Sequence, residues 1–339
     1  MRIWFNHWFS TAYHLIELMR KGCDETVVMI GSSSNSKALY RPVCDEWYGE
    51  EDLPAEQYVD FCVDFCKQHA VDVFVPRRQL VAIVRAKERF AQIGVRVMAE
   101  SDPDKVTLLD DKLAAYRFFE PILPQIIPPY RVVSSYEEFD RALSELAVPS
   151  ERLCYKVVVD EGAKSFRVID NSIESVGALY AKPGAKVTEA AARHILSEYD
   201  FSVPLIVMPY LKGADVSVDC LTTDSGPILI PRFKVGRYSE VKPDAEVLRI
   251  CRTILDALPL EMPANIQFKM DNGKPYLLEI NPRMSGGLQL SCLAAGINLP
   301  LIALQKLTGQ PQLKWSYPAD SPTVGLLNLE CPVIVSEEN

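Results

Sequence analysis

Apolar and polar positions change rhythm along this chain. In the first hundred residues short apolar runs alternate with longer amphipathic ones: Arg2 to Asn6, with its Ile3/Phe5 alternation, reads as a first strand, followed by a helix over Ala12 to Lys21 and a strand over Thr26 to Gly31. A helix over Pro54 to His69, a strand over Val71 to Pro76, a helix over Leu80 to Ile93 and a strand over Arg96 to Ala99 continue the series. Strands separated by helices predict a parallel sheet, because parallel neighbours need a crossover connection. The first strand-to-helix connection has no G-x-G-x-x-G, so the dinucleotide fingerprint is missing where a nicotinamide-dependent dehydrogenase would carry it. Gly31-Ser32-Ser33-Ser34-Asn35 reads as a plain loop after its strand.

From Asp102 the texture changes. Asp110-Asp111-Lys112 leads a helix, and Pro121, Pro124, Pro128 and Pro129 mark a connecting segment. Arg152 to Val159 and Lys164 to Asp170 read as two strands joined by Asp160-Glu161-Gly162-Ala163, and Leu205 to Pro209 with Val216 to Leu221 as another pair. Ile228 to Val235, a helix from Ala245 to Leu258, and a hairpin over Asn265 to Ile280 around Asp271-Asn272-Gly273 follow. The tail from Pro311 holds one apolar stretch, Val324 to Leu329, fit for an edge strand. The predicted fold class is α/β and α+β, with a parallel-sheet domain over 1–101, further segments at 102–205 and 206–310, and a tail at 311–339.

The densest candidate chemistry lies where the hairpin ends. Tyr276-Leu277-Leu278-Glu279-Ile280-Asn281-Pro282-Arg283 runs into Met284-Ser285-Gly286-Gly287 and a small-residue helix over Leu288 to Ala295. Residues two apart on a strand share a face, so Glu279 and Asn281 offer oxygens to one hard cation, with Arg283 next for a phosphate. The turn and helix that follow suit an anion. If Asp271-Asn272-Gly273 closes the hairpin as a three-residue loop, Gln267 joins the face of Glu279; a two-residue Asn-Gly turn sends it to the other. The sequence leaves both open. Lys156, in the apolar Tyr155-Lys-Val-Val-Val, is expensive to bury without an anionic partner. Cys62, Cys66 and His69 share a helix face but lack a fourth ligand, and core packing is the preferred reading.

Composition narrows the class. With 339 residues and 48% hydrophobic content the chain supports a large core and more than one domain. Its apolar runs fall far short of the roughly 18 residues a membrane helix needs. The start lacks the basic-then-apolar order of a secretory signal, so a cytoplasmic enzyme is expected. A net charge of −9 opposes a nucleic-acid partner, and nine cysteines without a framework read as reduced thiols.

These residues add up to a resemblance. Asp111-Lys112, Lys156 with its short loop, Met208-Pro209-Tyr210-Leu211-Lys212-Gly213-Ala214-Asp215-Val216-Ser217-Val218-Asp219, Gln267 and Glu279-Ile-Asn281-Pro-Arg283 follow one another as in the ATP-grasp superfamily. The likeness is to the branch of the carbamoyl-phosphate-synthetase large chain and stand-alone carboxylate-amine ligases. It covers about residues 100 to 310, with the preceding parallel domain fitting the one that comes before the grasp. The resemblance implies a two-subdomain grasp fold, with ATP and Mg²⁺ (or Mn²⁺) as cofactors. It gives Lys112 and Lys156 the nucleotide phosphates, Lys164 and Ser165 the covering flap, and Val207, Met208, Pro209, Tyr210 and Leu211 the adenine. It also implies Asp215 at the ribose, Gln267, Glu279 and Asn281 as metal ligands, and Arg283 with Lys234 and Arg237 at the transferred phosphoryl group or the substrate carboxylate. Met208 stands where many relatives have an acidic residue, and the flap is poor in glycine.

The expected activity is carboxylate-amine ligation through an acyl phosphate, with a small-molecule carboxylate and amine as partners and a homodimer as the commonest assembly of such enzymes. A small-molecule kinase and a nucleotide-binding regulatory protein are the alternatives. A carboxylate-binding arginine cluster would argue against the kinase, and Arg232, Arg237 and Arg283 are its candidates, whose convergence the sequence does not show.

Overall fold

The computed structural model describes all residues except 24–25, 148–151, 159–163, 174–183, 237, 316–323 and 328–339. The chain forms two compact units, one of Met1–Leu109, Ala214–Phe268 and Glu279–Asn339, the other of Asp110–Gly213 and Lys269–Leu278.

The first unit opens with five parallel strands: β1 Arg2–Asn6, β2 Val28–Ser33, β3 Glu46–Gly49, β4 Val73–Val75 and β5 Arg96–Val97, in the order β3-β2-β1-β4-β5. Four helices accompany them: α1 Ala12–Lys21, α2 Ala55–Gln68, α3 Leu80–Arg85 and α4 Lys87–Ala91. Period-two alternation splits the strand residues between two cores. Ile3 and Phe5 join the core that includes Leu15 of α1, while Trp4 enters the other, stacked at 4.2 Å on both Phe65 and Phe74. The predicted helix over 80–93 is two short helices, and the predicted series of strands lacks β3, whose half-buried Glu46-Trp-Tyr-Gly gives little apolar signal. Chain order reverses at β1, so the carboxyl ends of β1 and β4 form a switch point, where open α/β sheets bind ligands.

Helix α5 (Pro103–Asp110) leads to the second unit, with α6 Lys112–Phe119, β6 Arg131–Val133, α7 Tyr136–Leu146, β7 Leu153–Val157, β8 Arg167–Ile169, β9 Lys186–Val187, α8 Glu189–Ser197 and β10 Leu205–Pro209. Its sheet order is β6-β10-β7-β8-β9. Phe139, Leu143 and Leu146 of α7 and Ala192 and Leu196 of α8 fill one core with Tyr155, Leu205 and Val207. At its edge Asp170 accepts from Ser172 Oγ at 2.6 Å and pairs with Lys186 at 2.9 Å and Arg152 at 3.3 Å. The Ser172 and Lys186 hydrogen bonds hold its carboxyl down at about 2. A carboxylate depressed in the folded state contributes stability that is complete above its unfolded value near 4 and lost as pH falls toward 2. Acid unfolding of Asp170→Asn is therefore expected to flatten in that window, with about 2 kcal/mol of stability missing at pH 7 by urea titration.

The remaining strands return to the first unit as β11 Asp215–Thr223, β12 Gly226–Val235, β13 Tyr238–Val241, β14 Ala264–Asp271, β15 Lys274–Asn281 and β16 Val324–Leu327, in the order β15-β14-β11-β12-β13-β16. Helices α9 Ala245–Ala257, α10 Leu288–Ala295 and α11 Leu299–Thr308 complete it. The expected pairing of Leu205–Pro209 with Val216–Leu221 does not occur: β10 pairs with β6 and β7, and β11 with β12 in a separate sheet. The chain leaves the first sheet at Lys212-Gly213, where Lys212 N donates to Asp271 Oδ1 at 3.2 Å and a Cβ on Gly213 would stand 2.2 Å from Met270 O. Only glycine permits that backbone approach. Gly213→Ala is expected to cost about 1–3 kcal/mol, read as a lowered urea midpoint. Among the described residues no single helix is long and apolar enough to cross a membrane, and the bent pair α10–α11 buries Leu288, Leu299 and Ile302 in the first unit's core.

Candidate active site

One face of the six-stranded sheet is apolar; the other is polar toward Asp215 and apolar toward Leu221, Ile228 and Ile230, which join the first unit's core. Val216, Val218, Cys220 and Phe233 are buried on the first, where α9 packs against β12. Burial pushes the Cys220 thiol up to about 12 and the Cys251 thiol well above its usual value, so neither supplies a thiolate nucleophile. Cys62 and Cys66 are likewise buried in core, with their thiols raised, and His69 packs on the Tyr48 and Phe65 rings. The helix-face trio is packing, as expected. On the polar face antiparallel register pairs Asp215 with Lys234 and Ser217 with Arg232, and Asp219 follows on β11.

The hairpin of β14 and β15 decides whether Gln267 belongs with Glu279. Asn272 and Gly273 have φ of +47 and +77, the left-handed pair of a two-residue turn. On an uninterrupted ladder that turn sends Gln267 to the face opposite Glu279. Two signs point to an interruption. Consecutive carbonyls of a regular strand point to opposite edges, yet Tyr116 Oη lies 2.8 Å from Leu277 O and 3.4 Å from Leu278 O. The buried positions likewise step from Leu277, 0% exposed, to Ile280, 1% exposed, three residues instead of two. Both signs are those of a bulge at Leu278, and such a bulge would put Glu279 and Asn281 on the half-buried face of Gln267.

Side-chain hydrogen bonds orient these groups. Asn281 Nδ2 donates to Glu279 Oε1 at 3.0 Å, so amide and carboxylate meet. Gln267 Nε2 donates to Asn265 Oδ1 at 3.0 Å, which fixes the orientation of the Gln267 amide. Asn265 in turn donates to Asp219 Oδ1 at 2.8 Å. Asp219, 1% exposed, also accepts from Ser285 Oγ and Ser291 Oγ, each at 2.6 Å, and has the Arg232 guanidinium at 3.8 Å. One buried carboxylate thus ties β11, β12, β14, the Ser285-Gly286-Gly287 turn and α10 together. Gly287 N donates to Ser285 Oγ at 3.2 Å, and a Cβ on Gly287 would fall 2.2 Å from Arg232 Nη2, so that glycine is where Arg232 lies against the turn. Arg283 donates to Met284 O at 3.3 Å and lies 5.7 Å from the Phe9 ring centroid.

In the second unit Lys156 is only 9% exposed and makes no hydrogen bond or ion pair among the described residues. A lysine so placed is costly unless an anion meets it. Asp111 caps α6, accepting from Leu113 N at 2.8 Å and Ala114 N at 3.1 Å, and the adjacent Lys112 draws the Cys154 thiol down, opposing the burial that holds it at about 12. Cys154 and Lys156 share one face of β7, so the charges of Lys112 and Lys156 act on that face. Ser165 Oγ accepts from Val157 N at 3.0 Å, beside Lys156, while Lys164 is exposed. Residues 161–163 of the expected flap, and Arg237, lie outside the described residues. Val207 is laddered on both sides, opposite Arg131 and Tyr155, whereas Met208 and Pro209 pair only with β7. Past Val207, then, the ladder with β6 ends while that with β7 continues to Pro209. Asp215 and Lys234 are exposed at the near end of the first unit's polar face.

Residues 201–326 match a family model described as ATP-grasp in the biosynthetic pathway with Ter operon. The arginine-specific carbamoyl phosphate synthase large chain of Geobacillus stearothermophilus is 22% identical over 328 residues, 89% of this chain and 28% of that one. That of Thermomicrobium roseum is 28% identical over 65% of this chain and 20% of its own. Among solved structures, biotin carboxylase from Campylobacter jejuni in complex with β-γ-ATP superposes with a TM-score of 0.66 at 15% identity, covering 92% of this chain and 72% of that one. N5-carboxyaminoimidazole ribonucleotide synthetase from Thermus thermophilus gives 0.67 at 15% identity, covering 97% and 83%. Over residues 201–326 the chain is thus similar to the ATP-grasp family, and its fold is shared with these solved structures. It spans about a quarter of the length of the curated carbamoyl phosphate synthases it matches.

Several residues around these strand ends were given no role from the sequence. Asp219 and Asn265 carry a signal, a carboxylate and an amide inside apolar strands, that only the network explains. Ser291, on a small-residue helix, and Phe9, in the loop after β1, carry none.

Proposed function

We infer that this chain is an ATP-dependent carboxylate-amine ligase of the ATP-grasp family working through an acyl phosphate. The observation that supports the reading is the meeting of the Asn281 amide and the Glu279 carboxylate at 3.0 Å at the end of β15, to which Gln267 would add a second amide oxygen. Oxygen donors of low total charge suit Mg²⁺ (or Mn²⁺) bound together with nucleotide phosphates. When bound, the metal neutralises phosphate charge at the β and γ oxygens.

The protein's own residues take the remaining roles. Lys112 and Lys156 bind phosphates, and the burial of Lys156, with no side-chain partner among the described residues, supports this. Lys164 and Ser165 form the near end of the flap, the Val207–Leu211 backbone meets adenine, and Asp215 holds the ribose. Arg283, with Lys234 and Arg237, balances charge spreading over the phosphoryl oxygens. A substrate carboxylate oxygen attacks the γ phosphorus, the bond to the bridging oxygen breaks, and ADP leaves. An amine nitrogen then attacks the acyl carbon, phosphate departs with the bonding pair, and the nitrogen loses a proton. Positioning and charge neutralisation suffice, without a protein nucleophile.

Isotope transfer tests this. With Mg-ATP, an amine and a panel of ¹⁸O-labelled small carboxylates, one labelled oxygen is expected in the released phosphate, seen as a shifted ³¹P resonance. Phosphate formed without label, or label absent while a phosphorylated product accumulates, contradicts the ligase reading.

A further inference from the structure

At the switch point of the parallel sheet lies a second cluster, and none of the roles above uses it. His7, the first residue after β1, has φ of +46, a left-handed backbone that non-glycine residues rarely adopt without a reason. Its ring is 13% exposed, and Nε2 sits 2.7 Å from Glu50 Oε2. Glu50, whose side chain is fully buried, also accepts from Tyr58 Oη at 2.7 Å and from Ser32 Oγ. Arg78 Nη1 lies 3.0 Å from the same Nε2, while the Arg78 guanidinium meets Asp52 and stacks 5.1 Å from the Tyr58 ring centroid. Arg77 Nη1 donates to His7 O at 3.0 Å, and Arg77 N donates to Asn6 Oδ1 at 2.7 Å.

Nε2 faces both the Glu50 carboxylate at 2.7 Å and the Arg78 guanidinium at 3.0 Å; the guanidinium has its own acceptor in Asp52, so the ring proton is assigned to the shorter Glu50 contact, which leaves Nδ1 as the nitrogen with the lone pair. Nδ1 makes no hydrogen bond among the described residues. The loop that carries His7 continues into Phe9, whose ring has the Arg77 guanidinium at 5.6 Å and that of Arg283 at 5.7 Å. The loop bearing a carboxylate-held imidazole therefore also touches the arginine beside the metal strand, all within the first unit.

We propose that the carboxyl edge of this sheet is the subsite for the incoming amine, with His7 Nδ1 accepting its proton and Glu50 as the positioning residue. The proposal rests on the ligase reading. An alkyl amine arrives as an ammonium and must lose a proton before its lone pair reaches the acyl carbon. That proton goes to His7 Nδ1 and the imidazolium is balanced by Glu50; the N–C bond forms as the C–O bond to phosphate breaks, the departing phosphate takes the bonding pair and the nitrogen's second proton, and the imidazolium gives its own proton to water. Arg77, Arg78, Asp52 and Tyr58 are the other charged or titratable groups around the ring.

Hydroxylamine separates the two halves of the reaction, because it is uncharged at neutral pH and needs no base to expose its lone pair. Wild type and His7→Asn are compared with Mg-ATP and the carboxylate panel, with either hydroxylamine or an amino acid as nucleophile. Asparagine tolerates the left-handed backbone but takes no proton. Hydroxamate formation by His7→Asn is expected within about threefold of wild type, and amide formation lower by about 10²–10³-fold. Raising the pH toward the amine's own pKa is expected to restore the amide, and Glu50→Gln to show the same imbalance more weakly. Amide formation by His7→Asn at the wild-type rate overturns the proposal, and so does an equal loss of amide and hydroxamate. If wild type itself makes no hydroxamate, the ligase reading falls, and the role of His7 falls with it.

Discussion

Glu279→Ala is expected to lower carboxylate-dependent ADP formation by a thousandfold or more, about 4 kcal/mol of transition-state stabilisation, with a thermal midpoint close to wild type. Glu279 is the only carboxylate of the three expected metal ligands, so its loss removes the charge that offsets a divalent cation. Its fold contribution is small, because it is half-buried and its hydrogen-bonding partner is Asn281, two residues along the same strand. Surface-like positions of this kind cost at most about 0.5 kcal/mol when truncated. Steady-state ADP release, with a urea titration of the same preparation, checks both halves. Near-wild-type turnover in this variant removes the metal strand from the mechanism.

Asp219→Ala is expected to do the opposite, damaging the fold and the site together. Asp219 accepts from Asn265, Ser285 and Ser291 at 2.6 to 2.8 Å, inside a region almost without solvent, and is the carboxylate nearest Arg232. Truncation leaves three donors and a guanidinium without their acceptor, a loss of about 3–5 kcal/mol. Urea unfolding is expected to show it as a lowered midpoint with unchanged slope. Because Gln267 is oriented through Asn265 and the Ser285–Gly287 turn through Ser285, turnover should fall even in the fraction that stays folded. A stability within 1 kcal/mol of wild type would mean that the network relaxes around the missing carboxylate.

The contrast between these residues follows what a sequence can carry. Glu279 and Asn281 were legible as a pair because two-residue spacing on a strand fixes a shared face without knowledge of anything distant, and Asn281 Nδ2 meets Glu279 Oε1. Gln267 was less so: Asn272-Gly273 forms a two-residue turn, and the signs of a bulge lie where Tyr116, 161 positions earlier, meets two consecutive carbonyls. The parallel sheet was legible from its alternation of strand and helix, except for β3, which is too short and too polar. Strand partners were less so: β10 and β11 are neighbours in sequence, yet the close approach of Gly213 to Met270 marks where the chain passes from one sheet to the other. His7 and Glu50 are 43 residues apart and were only a histidine after a strand and one acid among many; register across β1, β2 and β3 brings them to 2.7 Å.

The central claim is that this chain activates a carboxylate with Mg-ATP. The most direct measurement is ADP release and hydroxamate formation with Mg-ATP and hydroxylamine across a panel of amino acids and small carboxylates, repeated without magnesium. Hydroxamate formed in proportion to ADP, with one carboxylate and only with the metal, is the predicted result. Tight, magnesium-dependent ATP binding with no hydroxamate from any carboxylate, and ADP released only when an alcohol is supplied, would contradict it.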